Sequence, residues 1–158
     1  FLDFEDQNIE RNFIESLLAA VGNKGTIFAH NASVEISTLQ RLIKKDNFKD
    51  LFDKIIKLIG RVVDTRKIVT ENFYSPLMNG SSSLKEIVKS IPGDIVYDKN
   101  ESIAGGADAT LAWFLYTDLK TSIEEKNELK KNLIEYCSKD TLALYHLIKY
   151  LLDQKNIN

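Results

Sequence analysis

Short apolar segments and longer segments of helical periodicity alternate along the first half of the chain. Residues 1–5 alternate apolar and acidic side chains and predict a strand, whereas residues 6–21 repeat apolar side chains at helical spacing. Further short strands are predicted at residues 26–29 and 61–65, with helical segments between them. This alternation predicts an α/β fold in which helices cover a sheet and helix predominates over strand.

The second half of the chain carries two helix-start signals. Ser83 with Glu86, and Ser122 with Glu125, have the spacing of a capping box, in which a hydroxyl and a carboxylate each bond the other's backbone amide. The second signal opens a long final helix whose apolar side chains continue to Leu151. We therefore expect the second half to be built from helices.

Several residues that could stack or react are interpreted as packing residues. Trp113 and Phe114 lie in an apolar helical stretch at residues 107–119, where a core position is favoured over a base-stacking platform. Cys137 is interpreted as a small buried hydrophobe without a nucleophilic role. His30 follows a predicted strand, where a packing or hydrogen-bonding role is favoured over metal binding.

The net charge of −2 over 158 residues gives the chain no overall attraction for phosphate groups. Nucleic-acid binding would need a local basic patch or metal ions. Scattered lysines usually keep a surface solvated, but one set in the second half could converge on a phosphate. Its members are Lys85, Lys89, Lys120, Lys126, Lys130 and Lys131.

Length and the absence of export signals suggest one soluble domain over residues 1–158. A single cysteine indicates a reducing, cytoplasmic environment, and no apolar run approaches the roughly 20 residues that span a bilayer. The chain opens on a strand-like segment without a methionine. We expect a domain of a longer protein, with the other domains of that protein among its partners and no membrane association.

Three pairs of polar side chains have spacings that place each pair on one face of its element. They are Asp3 with Glu5, Asn31 with Glu35, and Tyr136 with Asp140. Taken singly, an acid pair at a strand end is more often solvated, and an asparagine before a helix more often caps it. A helical tyrosine is likewise more often partly buried beside a surface acid. The order of the three pairs is what makes them informative.

In that order, the segments resemble the three exonuclease motifs of the DEDD superfamily, tyrosine subclass, which has a ribonuclease H-like fold. The segments are Phe1-Leu2-Asp3-Phe4-Glu5, His30-Asn31-Ala32-Ser33-Val34-Glu35 and Tyr136-Cys137-Ser138-Lys139-Asp140. Val62-Val63-Asp64-Thr65 and Ser83-Leu84-Lys85 resemble the region that links these motifs. The combination looks closest to an uncharacterised bacterial DEDD-like family found as the C-terminal domain of larger proteins.

The resemblance implies a mixed sheet flanked by helices and a 3′–5′ exonuclease acting on single-stranded DNA or RNA. Two Mg²⁺ or Mn²⁺ ions would be held by carboxylates, the oxygen ligands that hard cations prefer. The implied metal ligands are Asp3, Glu5, Glu35 and Asp140. Tyr136 would orient the attacking water, and Asn31 would contact the substrate or support Glu35.

Two features depart from the family pattern. The second motif has Val34-Glu35 where the superfamily usually has Phe-Asp, so its carboxylate reaches one methylene further. Glu5 also runs almost directly into a helix, whereas two more antiparallel strands are usual, so we expect either a truncated sheet or a deletion of this segment from the sequence. Asp108 is interpreted as capping or starting its helix and is left outside the site.

These departures keep two alternatives open. One is a catalytically impaired DEDD-like module that binds nucleic acid or another protein. The other is a mostly helical structural domain in which the acidic pairs are coincidental and lie far apart.

Overall fold

The computed structural model describes residues 8–93, 97, 103 and 105–155. The strand predicted at residues 1–5, with Asp3 and Glu5, lies outside them. The helices within these ranges are α1 (Ile9–Val21), α2 (Ser33–Leu42), α3 (Phe52–Ile59), α4 (Thr65–Asn72), α5 (Leu84–Val88), α6 (Gly106–Thr117) and α7 (Ile123–Lys155). The strands there are β1 (Ile27–Ala29) and β2 (Val62–Asp64), and 3₁₀ helices span Asp46–Leu51 and Pro76–Met78.

The chain divides into two compact units, Phe1–Tyr74 and Ser75–Asn158. In the first unit β1 and β2 pair in parallel, with Ile27 opposite Val62 and Ala29 opposite Asp64. Parallel strands need a long crossover connection, which α2, a 3₁₀ helix and α3 supply here. The strands predicted at residues 26–29 and 61–65 are confirmed with shorter bounds, and the described part of the chain is a helix-rich α/β arrangement.

The core of the first unit is made by one apolar face from each helix of the crossover and from α1. The spacing of Leu39 and Leu42 in α2, and of Ile55 and Leu58 in α3, places each pair on one side of its helix. Phe48, on the intervening 3₁₀ helix, is fully buried among them. This cluster packs the crossover against α1.

Arg61, just before β2, fixes the loop between α1 and β1. Its guanidinium donates hydrogen bonds to the carbonyl oxygens of Gly25 at 2.7 Å, Gly22 at 2.6 Å and Val21 at 3.0 Å, and also to that of Lys24. These carbonyls belong to the end of a helix and to a turn, where backbone acceptors lack helical partners. One side chain therefore satisfies a run of main-chain acceptors.

In the second unit the long helix α7 packs against both α5 and α6. Both predicted helix starts are confirmed. Ser83 accepts the amide of Glu86 at 3.4 Å, and at the start of α7 Ser122 and Glu125 bond each other's amides at 3.3 and 3.0 Å. The buried residues of these helices include Ile87, Val88, Ala112, Leu133, Ala143 and Leu147.

The prediction that Phe114 is a core residue is wrong. Its side chain on α6 is 65% exposed, and Leu111 and Leu115 beside it are 58% and 45% exposed. Trp113 is half-buried and stacks on Tyr116, with 6.0 Å between ring centres. Since α6 is apolar around most of its circumference, its sequence carries no periodicity that identifies the buried side.

Among the described residues, no helix combines the length and the apolar character that crossing a bilayer requires.

Candidate functional site

The turn after β1 places Asn31 differently from the prediction. Asn31 lies before α2 with a φ of 69°, a left-handed conformation that asparagine tolerates better than most residues. It therefore does not share a helical face with Glu35, and that part of the prediction is wrong. Its side-chain oxygen accepts a hydrogen bond from the hydroxyl of Ser33 at 3.3 Å, so it does not cap α2 either.

Asp64, at the end of β2, holds this turn through main-chain contacts. One carboxylate oxygen accepts the amides of Asn31 at 3.0 Å and Arg66 at 2.9 Å, and the other accepts the amide of Ala32 at 3.1 Å. The bond from Arg66 makes Asp64 the N-cap of α4. Asp64 thus connects the ends of both strands. Its position in the sequence did not predict this role.

Thr65, whose side chain is buried, links the same two strand ends. It is fully buried, donates its hydroxyl proton to the carbonyl of Ala29 at 3.1 Å, and lies 3.0 Å from Nδ1 of His30. Because the hydroxyl proton is directed to Ala29, Thr65 accepts from His30, which places the imidazole proton on Nδ1. The hydrogen-bonding role predicted for His30 is confirmed.

Glu35 lies in the first turn of α2 and is exposed. Its neighbour Val34 is 57% exposed, so this part of α2 contributes little to the core of the first unit. Exposure of a carboxylate in the first helical turn is compatible with both a solvated acid and an accessible ligand.

In the second unit, Tyr136 and Asp140 form the pair that their spacing on α7 predicted. Asp140 lies one helical turn beyond Tyr136 on α7, close enough to raise the pKa of the phenol. Tyr97 donates to the Asp140 carboxylate at 2.9 Å. Partial burial, and then Asp140, raises the pKa of Tyr136 well above its ordinary value. The phenol therefore keeps its proton to higher pH than an ordinary tyrosine does.

Two lysines lie beside these tyrosine rings. Nζ of Lys85, on α5, is 4.7 Å from the ring centre of Tyr97 and 5.5 Å from that of Tyr136. Nζ of Lys139, on α7, is 5.3 Å from the Tyr97 ring centre. We refer to Lys85, Tyr97, Tyr136, Lys139 and Asp140 as the tyrosine cluster. All five residues are half-buried.

Sequence reasoning missed three contributors to this region. Tyr97 lies 43 positions from Asp140, and no local spacing connects the two, whereas Lys139 directly precedes Asp140 on α7 but was read as lying on another face. The negative charge of Asp108, on α6, also raises the pKa of Tyr136, so this acid lies near the cluster although it was left outside the predicted site. The only sequence signal for Asp108 was the pair of glycines, Gly105 and Gly106, that shortly precedes it.

The prediction that Cys137 is buried is wrong, because the residue is exposed. The side of α7 that packs inward carries Leu133, Ala143 and Leu147. Cys137 lies one helical turn beyond the buried Leu133, yet its own side chain is exposed.

The predicted site residues thus fall into two sets. Asn31 and Glu35 belong to the first unit, and Tyr136 and Asp140 belong to the second. Over residues 8–155, apart from the gaps in that range, no group of three or more histidine, cysteine or acidic side chains is arranged to hold a metal ion. Asp140 still fits such a role, since an ionised carboxylate has about four acceptor positions and the hydrogen bond from Tyr97 leaves capacity for a cation.

Comparison with known proteins places the chain in a family. A sequence model of the family described as a domain of unknown function, DUF2779, matches residues 1–83. The matched region contains the first two predicted motifs, with Asp3, Glu5, Asn31 and Glu35, but neither Tyr136 nor Asp140. No curated protein and no solved structure matches the chain. Since the matched region is more than half of the sequence, the chain belongs to the DUF2779 family.

Proposed function

We propose that this domain is a metal-dependent 3′–5′ exonuclease that hydrolyses phosphodiester bonds in single-stranded DNA or RNA. The observation that carries the proposal is the Asp140 carboxylate, which accepts a hydrogen bond from Tyr97 at 2.9 Å and lies one helical turn from Tyr136. A protonated phenol, a carboxylate and two lysines are gathered at one half-buried place on α5 and α7. Phosphodiester hydrolysis needs these kinds of group: a hydroxyl that orients water, an oxygen ligand for a cation, and positive charge near phosphate.

The proposed fold is ribonuclease H-like. Two features support it: the parallel pairing of β1 with β2, and helices in the connection between these strands. The carboxyl ends of parallel strands in α/β folds are where ligands usually bind. Asn31 directly follows β1, and Asp64 fixes its backbone there.

Each predicted carboxylate, and Tyr136, has a role in this proposal. Asp3 would be the ligand shared by both metal ions, Glu5 and Asp140 would hold the hydrolytic metal, and Glu35 would hold the second. Bound Mg²⁺ or Mn²⁺ would supply Lewis-acid stabilisation of charge developing on the phosphate oxygens. Tyr136 orients the attacking water through its phenol oxygen, which can accept a hydrogen bond from the water while the raised pKa keeps the phenol neutral.

The test is release of mononucleotides from single strands labelled at the 3′ or the 5′ end, with DNA and RNA tested separately. Each reaction contains either Mn²⁺ or EDTA. We expect Mn²⁺-dependent release that Asp140→Asn lowers by about 10²-fold or more, because a carboxamide is a poor metal ligand. The position of the label on the released nucleotide reports the polarity of the reaction.

Asp153→Asn is the matched control, since it makes the same change on an exposed position of α7. Circular dichroism spectra establish that both variants are folded. Equal release by the wild type and Asp140→Asn, or release that persists in EDTA, would contradict the proposal.

The second candidate function is a catalytically impaired module that binds nucleic acid or a protein partner. Glu35 favours it, because a longer side chain replaces the usual aspartate and lies on an exposed part of α2. Binding of labelled single strands without release in Mn²⁺, by folded protein, would support this module over the exonuclease.

A further inference from the structure

The turn between α6 and α7 presents large apolar side chains to solvent. Leu119, in the turn, is 96% exposed, and Ile123, the first residue of α7, is 74% exposed. The hydroxyl of Thr121 donates to the carbonyl of Leu115 at 2.7 Å and holds the turn against the end of α6. Removal of apolar surface from water is the main favourable term in most protein association. A partner that covers these two side chains would therefore gain binding free energy.

The apolar surface continues onto α6. Phe114 and Leu115 follow Leu111 by three and four positions, so the three are neighbours on one helical face, and all are exposed. This face adjoins the apolar turn at Leu115, whose carbonyl receives the hydroxyl of Thr121. Single exposed apolar side chains are ordinary on a protein surface, whereas a contiguous group marks a place where another molecule binds.

A cavity of about 300 Å³ lies beside this surface, between α6 and the first three turns of α7. Its lining consists of Leu115, Thr121, Glu125, Glu128, Leu129 and Asn132. The members on α7 recur at intervals of three and four positions, so they form one stripe along the helix. Small-molecule pockets hold about 300–1,000 Å³, and a cavity at the lower end suits one or two side chains of a partner. We refer to the cavity, together with Leu111, Phe114, Leu119 and Ile123, as the hairpin groove.

The cavity is acidic. Glu125 and Glu128 lie in its lining, where the described residues include no basic side chain. Hydrogen bonds from the hydroxyl and the amide of Ser122, at 2.8 and 3.0 Å, lower the pKa of Glu125, so its carboxylate is ionised at neutral pH. Both bonds reach one oxygen, which leaves acceptor positions on this carboxylate.

The helix dipole explains only part of this charge. It favours acids in the first turn of α7, which includes Glu125, but its effect falls off within that turn. Glu128 lies in the second turn and is exposed. Two carboxylates beside apolar side chains are complementary to a partner that combines positive charge with apolar surface.

We propose that the hairpin groove docks an amphipathic helix of a protein partner, whose apolar face is flanked by lysine or arginine side chains. Helices bind grooves through apolar side chains at helical spacing, as Leu111 and Leu115 would be met here. The long apolar stem of a lysine or arginine covers leucine while its charged end reaches Glu125 and Glu128. This docking surface is independent of the proposed exonuclease chemistry.

The same charges argue against a second copy of this chain as the occupant. A two-fold contact presents the same patch from both copies. Glu125 and Glu128 of one copy would then share the interface with those of the other, and like charges brought together disfavour association. A basic helix instead places opposite charges at these positions.

The experiment measures binding of a labelled model peptide to the full chain by fluorescence anisotropy. The peptide has about 18 residues, enough to form a helix, with leucine at helical spacing and lysine on both sides of the leucine face. A second peptide carries glutamate in place of every lysine. We expect the lysine peptide to bind at least about 10-fold more tightly than the glutamate peptide.

Two groove variants test the two parts of the surface. Glu125→Gln/Glu128→Gln removes the charges, and glutamine is still able to cap the start of α7. Leu119→Ser/Ile123→Ser removes apolar surface at exposed positions. Each should raise the Kd for the lysine peptide on the order of 10-fold. Circular dichroism spectra establish that the variants are folded.

Matched controls make the same changes elsewhere on α7. Glu135→Gln/Asp153→Asn removes two exposed acids, and Leu142→Ser/Leu152→Ser removes two leucines that are 50% and 55% exposed. Both controls should bind the lysine peptide within about 2-fold of the wild type.

Several results would overturn the inference. They are equal binding of the two peptides, no binding of the lysine peptide by the folded wild type, an unchanged Kd in either groove variant, and equal losses in the controls. Sedimentation velocity of the chain alone addresses the other occupant. A dimer of the wild type that Leu119→Ser/Ile123→Ser dissociates would assign the groove to a second copy instead.

Discussion

The carboxylate of Asp64 accepts the backbone amide of Asn31 at 3.0 Å and so joins the end of β2 to the turn that follows β1. Its other oxygen accepts the amide of Ala32, and Arg66 completes the set. The turn that carries a predicted site residue is therefore held by an acid that makes only structural contacts there.

Replacing Asp64 should destabilise the first unit. Asp64→Ala removes the acceptor of three backbone amides, so we expect the free energy of unfolding to fall by about 2–4 kcal/mol. Urea unfolding followed by circular dichroism measures the change. Asp53→Ala, at an exposed position in the first turn of α3, should cost no more than about 1 kcal/mol. Equal losses in the two variants would refute the role assigned to Asp64.

The hydroxyl of Thr65 should contribute more to the free energy of unfolding than the hydroxyl of Thr70, further along the same helix. Thr65→Val keeps the shape but leaves the Ala29 carbonyl and Nδ1 of His30 without their buried partner, at a cost of about 1–3 kcal/mol. Thr70→Val makes the same change at an exposed position of α4 and should cost less than about 0.5 kcal/mol. Thermal and urea unfolding of both variants compare the two costs, and a neutral Thr65→Val would contradict this account.

The protonated phenol of Tyr136 should make stability fall at alkaline pH. Burial, and then Asp140, raises the pKa of Tyr136, so the folded protein holds the phenolic proton more tightly than the unfolded chain does. The resulting stabilisation is complete below the ordinary tyrosine pKa of about 10 and is lost progressively as pH rises above it. The wild type should therefore exceed Tyr136→Phe in free energy of unfolding by a constant amount from about pH 7 to about pH 9, and by less at higher pH.

Urea unfolding over this pH range provides the comparison, and Tyr145→Phe makes the same change at a 60% exposed position of α7. A difference between wild type and Tyr136→Phe that grows with pH would reverse the expected sign. A pH dependence of equal size in Tyr145→Phe would show that Tyr136 is not its source.

The exposed position of Phe114 predicts a small effect of truncation. Phe114→Ala should change the free energy of unfolding by less than about 1 kcal/mol, because the side chain is 65% exposed and alanine favours helix. Leu133→Ala, at a 3% exposed position of α7, should cost about 2–5 kcal/mol by leaving a cavity. Urea unfolding measures the free energy of unfolding that each variant loses, so that the two losses can be compared. A loss in Phe114→Ala as large as that in Leu133→Ala would mean that Phe114 belongs to the core.

Local signals explain what the sequence predicted correctly. The capping pair Ser122 and Glu125 lies within one turn, and the apolar face of α3 repeats every three or four residues. Such patterns depend on backbone geometry near the residue and need no knowledge of the rest of the fold. The pairing of Tyr136 with Asp140 was predictable for the same reason, because both lie on one helix.

Distant partners explain what the sequence did not predict. Tyr97 bonds Asp140 across 43 positions, and Asp64 bonds Asn31 across 33. Nothing in the spacing of such residues distinguishes them from other tyrosines and acids. The start of α4 at Thr65 was missed because residues 61–65 carry the β-branched side chains of a strand, while the cap from Asp64 ends β2 one residue earlier.

The contacts of Arg61 impose an order of events on a chain that grows from its N-terminus. The carbonyls of Val21, Gly22 and Gly25 are synthesised long before the side chain that satisfies them, which follows 36 to 40 positions later. The loop ahead of β1 can reach its final arrangement only after residue 61 has been added. During translation, the loop that precedes β1 cannot acquire these hydrogen bonds until the whole crossover has emerged from the ribosome.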